Sequence, residues 1–577
     1  MEKYNYWLTQ PNLDANLREE LTAMARDEVQ IKECFYQDLA FGTAGLRAKL
    51  GAGTNRMNVH VVRQATQGLA QTLLETGADA CEKGVAIAYD SRHMSREFAL
   101  QAALVLCANG IKAYLYDGIR TVPQASFTVR SLGCAGGIMI TASHNPPEYN
   151  GYKVFDETGS QLGVEYSDRV MQAIESVDAF TGVRLMDEKS ARAGGLLHTL
   201  GPEMDERFYD TVKSLCVCPE NLAAASAFNV VYTPLHGAGY IPVTRVLGDM
   251  GIKSLHVVEK QAAPDGDFPT VKLPNPEDPQ AFALAEELGR KVGADLLIAT
   301  DPDGDRLGVS ARTKDGGYVL LTGNQIGCII LEYKLCMLRQ TGRLPKDGRV
   351  VRSVVSTTMA DRICEAYGVV CEEVLTGFRF IGEKINAYEA GGGTFLFGFE
   401  ESYGYLVGTH IRDKDAVSAA MLIVEAAAYY SREKGFSLLS ALQDMYARYG
   451  CYLEKVGSNA APGADGMERI AQVMQALRTS PPHSLGGFGL IAVRDYMEGM
   501  RTDVKTGTQT PLKQGESNML YFELEKDMCA CIRPSGTEPK LKYYIYARGK
   551  DPDQACLRCE TLYKGVKAAI ESLLHIK

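Results

Sequence analysis

The chain has 577 residues, 46% hydrophobic and 23% charged, with a net charge of −10. That is ordinary globular composition, too long for one hydrophobic core, and roughly three to five domains are expected. The acidic balance excludes nucleic acid and anionic membranes as general partners, so an anionic substrate must be met by a local cluster of cations. No run approaches the ~20 apolar residues that cross a bilayer. The opening Met1–Trp7 lacks a charged-then-apolar leader. Fifteen cysteines scattered through apolar stretches fit reduced thiols, so a cytoplasmic protein is expected.

In chain order, residues 1–40 read as a helical extension onto the first domain, which spans 41–205. There Val85–Tyr89 reads as a strand, Arg92–Asn109 as a helix, Lys112–Tyr116 as a strand, and Pro123–Ser131 as a helix. Cys134–Ile140 follows as a buried strand. This βαβαβ alternation implies a parallel sheet with helices on both faces. It recurs in residues 206–322, with strands Asn229–Tyr232, Ser254–Val258 and Asp295–Ala299. It recurs again in 323–455, with strands Val350–Val355, Val369–Val374 and Thr394–Phe397. Gly457–Gly463 reads as a linker. The last domain, 456–577, has a helix at Met467–Arg478, strands Gly489–Val493, Leu520–Leu524 and Tyr543–Tyr546, and a helix at Asp553–Leu574. That order suggests a small antiparallel α+β domain. Cys556-x-x-Cys559 lies within that final helix without a second pair, so packing is expected rather than zinc.

In open α/β sheets ligands sit beyond the carboxyl ends of strands, and here three such ends carry distinctive loops. Thr141-Ala-Ser-His-Asn-Pro146 presents Ser143, with Lys153 close behind. A serine beside a cation suits covalent carriage of a phosphoryl group, although Ser/Asn clusters also cap helices. Asp301-Pro-Asp-Gly-Asp-Arg306 places three carboxylates at alternate positions, which repel unless a cation sits among them. Hard oxygen ligands suit Mg²⁺, and Arg306 adds a fixed cation for a phosphoryl group. An EF-hand fits poorly, because its glycine belongs at the sixth loop position and Gly304 is fourth. Gly398-Phe-Glu-Glu-Ser-Tyr-Gly404 offers acceptors and a donor for vicinal hydroxyls, with only one of Glu400 and Glu401 facing the ligand. Arg412-Asp-Lys-Asp415 opens a helix with cations at its start. Arg533-Pro-Ser-Gly-Thr-Glu-Pro539 has the parts of a phosphate cradle without Walker spacing. Phe41–Arg47 is a further Gly/Thr/Arg group, and Leu375-Thr-Gly-Phe-Arg379 ends another strand and could help choose the sugar.

Taken together, the serine, aspartate and Arg533–Thr537 loops resemble the α-D-phosphohexomutase superfamily, over nearly the whole chain from Phe41 onward. The resemblance implies four domains around a central cleft: three mixed α/β domains and a C-terminal α+β domain. It further implies that Ser143 is a phosphoserine whose phosphate shares Mg²⁺ with Asp301, Asp303 and Asp305. Glu400 and Ser402 match the family's sugar-binding Glu-x-Ser, and Arg533, Ser535, Gly536 and Thr537 its distal phosphate site. His144, Lys153, Arg306, Arg47 and Lys414 would surround the transferring group, with Thr376 and Gly377 on the sugar loop.

What this implies in chemistry is exchange of phosphate between Ser143 and either end of a hexose monophosphate, through a bound glucose 1,6-bisphosphate that turns end for end. Lys153 and His144 are both candidates for the proton acceptor. A serine hydrolase would explain Ser143 beside His144, but Gly-x-Ser-x-Gly is missing and adjacent side chains rarely reach the needed geometry. A phosphatase using Asp301 as nucleophile and a non-catalytic sugar-phosphate sensor are further alternatives. Among substrates, retention of Ser402 favours a hexose over a pentose, with phosphopentomutase and phosphomannomutase activities as the competing readings.

Overall fold

The computed structural model describes residues 1–577 except 43–44, 224–227, 436, 462–464, 536–539 and 576–577. The chain divides into two compact units, one of residues 1–348 with 378–438 and one of 349–377 with 439–577.

The first unit contains two sheets. β1 (Leu46–Lys49), β2 (Val85–Tyr89), β3 (Ala113–Tyr116), β4 (Gly136–Ile140), β5 (Tyr149–Phe155) and β6 (Leu197–Leu200) lie in the order β1-β5-β4-β2-β3-β6. The expected parallel sheet is present only in part. β2, β3, β4 and β6 are parallel, but β5 runs antiparallel to β4 and β1 antiparallel to β5. The connection 141–148 is too short for a parallel crossover, so the chain doubles back and carries the serine loop at the bend. β2 and β4 are buried at every position, as strands covered on both faces must be. The helix expected from Arg92 starts at Ser95 instead, because Met94 takes a left-handed conformation and breaks the turn.

Helices Glu2–Thr9, Ala15–Ala23 and Glu28–Phe35 form the expected N-terminal extension. Tyr4, Trp7, Leu21, Ile31 and Phe35 join the core formed by β2, β4 and helix Val59–Glu75.

The second sheet has the order β11-β10-β9-β7-β8, with β7 (Val230–Thr233), β8 (Leu255–Val257), β9 (Leu296–Thr300), β10 (Leu307–Arg312) and β11 (Tyr318–Leu320). β7, β8 and β9 are parallel. β10 and β11, unforeseen in the sequence, extend the sheet antiparallel, so the Asp301–Arg306 loop is the turn of a β9–β10 hairpin.

β12 (Gly348–Ser353) pairs in parallel with β13 (Val370–Val374), almost wholly within the second unit. The chain returns to the first unit at Phe378, where β14 (Thr394–Glu400) and β15 (Gly404–Leu406) make a tight antiparallel hairpin. Helix Ala416–Lys434 follows, capped by Asp415, whose carboxylate accepts from the N–H groups of Val417 and Ser418. Midway along it the fully buried Glu425 accepts hydrogen bonds from Tyr333 Oη (2.7 Å), the Cys218 and Val217 N–H groups and the Cys216 thiol. A buried carboxylate with four donors is satisfied, and it fixes this helix against the segment at 216–218.

The second unit carries an antiparallel sheet, β16 (Cys451–Ala460), β17 (Ser484–Leu485), β18 (Phe488–Asp495), β19 (Met500–Asp503), β20 (Gln509–Pro511), β21 (Leu520–Leu524), β22 (Met528–Pro534) and β23 (Lys540–Gly549). Its main path is β16-β23-β22-β21-β18-β19-β20, covered by helices Gly466–Thr479 and Pro552–His575. The expected linker is corrected here. Residues 457–460 continue β16, held by an unbroken ladder to β23, and long-range pairing overrides a Gly/Ser/Asn composition that reads as loop. In helix Pro552–His575 Cys559 is buried and Cys556 exposed, so only one of the pair packs. Among the described residues no helix is long and apolar enough to cross a membrane.

Candidate active site

The serine loop leaves β4 and re-enters the sheet at β5. Ser143 has φ 52°, a left-handed conformation uncommon for a residue with a side chain. Thr141 Oγ1 accepts the Ser143 N–H at 2.8 Å. The turned backbone has a consequence that adjacency in sequence argued against: Ser143 Oγ lies 3.1 Å from His144 Nδ1. The geometric objection to a Ser–His pair is therefore corrected, since the left-handed residue swings the two side chains to the same side.

Ser143 Oγ also donates to Asp301 Oδ2 at 2.8 Å, which joins the serine loop to the aspartate hairpin. Asp301, Asp303 and Asp305 are at most 1% exposed, and one ligand oxygen from each lies within 4.8 Å of the others. Asp301 Oδ1 accepts the N–H groups of Asp305 and Arg306, so the loop closes on its own carboxylate. Gly304 at φ +65° completes the turn, and a Cβ there would lie 2.6 Å from Thr121 Cγ2. Two neighbouring N-termini seat the hairpin, with Val122 N–H bonded to Asp303 O and Ala416 N–H to Gly304 O.

Two lysines enter the same carboxylates. Lys153, on β5, donates to Asp303 Oδ2 (2.8 Å) and Asp305 Oδ2 (3.3 Å). Lys414 lies between Asp305 (3.1 Å) and Asp413 (3.0 Å). For both lysines burial favours the neutral form, but the carboxylates outweigh it and raise the pKa, so both stay ammonium. Burial and the charges of Asp303 and Asp305 push Asp301 well above the carboxylate range. Asp303 is held low because Lys153 overcomes its burial, and Asp305 because Lys414 and Lys153 do the same. Burial, then Arg306 and Arg47, depresses His144, which is neutral at physiological pH.

The donor set fits a hard divalent cation. It is all oxygen, and Asp303 Oδ1 and Asp305 Oδ1 are buried without a hydrogen-bond partner. Even with two lysines at hand, Asp301 remains short of positive charge.

Arg306 points its guanidinium at Glu277 (2.5 Å), and Arg47, an exposed side chain, donates to Asn145 in the serine loop. An isolated bridge between Arg306 and Gly404, with Leu307 N–H donating to Tyr403 O, fastens the β14–β15 hairpin to the aspartate hairpin. Gly404 permits this: a Cβ there would lie 2.3 Å from Lys414 Cδ. Glu400, buried at the end of β14, acts on the Lys414 charge, while Glu401 and Ser402 are half-buried in the turn.

The first unit thus brings together Ser143, His144, Lys153, Arg306, Arg47, Lys414, Glu400 and the three aspartates, and also holds Ser402 in the β14–β15 turn. The second unit holds Thr376 and Gly377, which follow β13, and Arg533 and Ser535 at the end of β22. The Arg533 guanidinium lies over the Tyr544 ring and Ser535 N–H bonds Lys540 O. Gly536 and Thr537 fall outside the described residues. Sequence reasoning missed Thr141, Glu277 and Asp413 as supports. Asp413 was visible beside Lys414, whereas Glu277, after Pro274-Asn-Pro276, gave no signal of its partner.

Residues 38–180, 206–316 and 322–449 match the α/β/α domains I, II and III of phosphoglucomutase/phosphomannomutase. The chain belongs to this family. It is 36% identical over 508 residues to a Staphylococcus epidermidis phosphoglucomutase, covering 88% of this chain and 90% of that one. A Staphylococcus aureus phosphoglucomutase is 34% identical over 539 residues, 93% of this chain and 94% of its own. The fold is shared with parafusin from Paramecium, described as a phosphoglucomutase (TM-score 0.69, 18% identity, 93% and 96% covered). It is shared too with a phosphoglucomutase/phosphomannomutase family protein of Burkholderia thailandensis (TM-score 0.63, 18% identity, 92% and 97% covered). The phosphohexomutase is accordingly a mutase enzyme, with three α/β/α domains and a C-terminal α+β domain.

Proposed function

We propose that this phosphohexomutase interconverts α-D-glucose 1-phosphate and glucose 6-phosphate through a phosphoserine at Ser143 and a glucose 1,6-bisphosphate intermediate. The observation that carries the reading is Ser143 Oγ at 2.8 Å from Asp301, inside a buried carboxylate trio flanked by two ammonium groups. A nucleophile, a cation site and fixed positive charges in one place are what phosphoryl transfer needs. Binding alone needs no nucleophile. The phosphoglucomutase relatives, at a third identity over most of their length, support glucose as the sugar.

Asp301, Asp303 and Asp305 would hold Mg²⁺ together with the Ser143 phosphate. When bound, the ion neutralises charge on the phosphoryl oxygens. In the forward step phosphoserine-143 gives its phosphoryl group to the free hydroxyl of the sugar phosphate. The Oγ–P bond breaks, a P–O bond to the sugar forms, and the hydroxyl proton passes to a base. In the return step Ser143 Oγ attacks the other phosphate of the bisphosphate and loses its own proton, the P–O bond to the sugar breaks, and the sugar oxygen takes up a proton. Lys153 and Lys414, kept charged by their carboxylates, stabilise the phosphoryl oxygens and are poor bases. Neutral His144, 3.1 Å from Ser143 Oγ, is placed to take the serine proton. Glu400 and Ser402 would hold sugar hydroxyls, and Thr376 and Gly377 would be further sugar contacts. Arg533, Ser535, Gly536 and Thr537 would hold the phosphate that does not react.

The test is kcat/KM for glucose 1-phosphate, mannose 1-phosphate and ribose 1-phosphate, each with catalytic bisphosphate and with or without Mg²⁺. We expect glucose to be preferred by about tenfold or more, ~1.4 kcal/mol of transition-state binding, and turnover to require the ion. A preference for ribose or mannose would overturn the substrate, and full activity after chelation would overturn the cation site.

A further inference from the structure

Ser143 keeps its left-handed backbone without a glycine's freedom, so its surroundings must hold it there. One side chain does most of that. Arg92, outside the residues assigned above, is buried, and its guanidinium faces the carbonyls of the serine loop. Nη2 donates to Ser143 O (2.6 Å) and Asn145 O (2.5 Å), and Nη1 to Pro146 O (2.8 Å) and Tyr149 O (3.1 Å). Four carbonyls from one bend converge on one planar group.

The guanidinium is itself fixed from two directions. Nε faces Asp90 Oδ2 at 3.5 Å, and the other oxygen of Asp90 accepts from Arg92 N–H and Ser95 Oγ. The Phe268 ring, from the neighbouring domain, lies 4.9 Å from the guanidinium carbon. Thr141 holds the Ser143 N–H while Arg92 holds its carbonyl, so both peptide groups of the nucleophile are clamped. Lysine cannot replace this fork, because its donors radiate from one nitrogen and cannot reach carbonyls spread over the loop.

We infer that Arg92 is a positioning residue for phosphoryl transfer: by binding the Ser143–Tyr149 carbonyls it holds the Ser143 backbone so that Oγ points at Asp301. The inference rests on the reading of Ser143 as the phosphate carrier.

The experiment compares Arg92→Lys with the unchanged enzyme in three measurements: kcat and KM with glucose 1-phosphate, phosphate on Ser143 by mass spectrometry after incubation with glucose 1,6-bisphosphate, and thermal unfolding. Because a displacement of about 1 Å at a reacting atom costs on the order of a hundredfold, kcat should fall that far while KM stays within about threefold. The protein should remain folded, and phosphate should load onto Ser143 more slowly. Asp90→Asn, which slackens the guanidinium without removing it, should lower kcat by roughly tenfold with KM unchanged. A folded Arg92→Lys enzyme with wild-type kcat overturns the inference. So does a loss of activity that only tracks loss of folded protein. If Arg92→Lys does not fold, Asp90→Asn decides on the same readouts. Absence of phosphate from Ser143 in the unchanged enzyme overturns the carrier reading instead, which separates the two failures.

Discussion

The carboxylate centre and the N-terminal aromatic cluster lie in the same unit and are buried alike: Asp301 and Asp303 are 0% exposed and Trp7 is 3%. Trp7 packs edge-on against Phe35, His60 and Phe180 at centroid distances of 5.7, 5.9 and 5.1 Å. Such contacts gain from area removed from water and from ring geometry, and they ask nothing further of their neighbours. The aspartates gain nothing by burial. They are tolerable only because Lys153, Lys414 and backbone N–H groups face them, and removing one partner leaves an uncompensated charge. On the proposed function one region serves stability and the other chemistry, and substitutions should separate the two.

The largest effect is expected at the carboxylate centre. Ser143→Ala should lower kcat by at least roughly a thousandfold, as loss of a nucleophile does, with an unchanged unfolding midpoint. Substantial residual mutase turnover would refute the assignment. Next comes Trp7→Ala, which should cost about 3–5 kcal/mol of stability and leave kcat of the folded enzyme as it was. A fall in kcat without a fall in the denaturation midpoint would break the comparison. Smallest and pH-dependent is His60. Burial, then Arg63, lowers its pKa to about 4, so the folded state favours the neutral ring while the unfolded chain takes up a proton near 6.5. Stability is therefore intact above pH 6.5 and declines as pH falls toward 4, by up to roughly 3 kcal/mol. Unfolding midpoints of the unchanged protein and of His60→Phe, measured across that window, should converge as pH falls. Parallel curves would contradict this account.

The three candidate loops were legible because each follows a short apolar strand and ends in residues that make poor core: Ser143, Asp301 and Glu400 announce themselves by type and place. What escaped was set by the return path of the chain. β5 and β10 run back antiparallel because their connecting loops are too short to cross over, and nothing in their composition separates them from parallel strands. The reach of Ser143 to His144 depends on one φ angle, and the fork of Arg92 on a bend far along the sequence. Gly457–Ala460 reads as linker because strand pairing with β23 is not written in its own residues.

Gly404 sets how closely the β14–β15 hairpin packs on its neighbours. At its base the backbone lies against the Lys414 stem and bridges Arg306, so no side chain can be added there without displacing the Lys414 stem. Its tip, Glu401 to Ser402, is half-buried, and a Cβ on Gly323 would lie 2.0 Å from Glu401 O. The hairpin is thus held at two points where a glycine lets another element come close, and a methyl at either would have to push that element away.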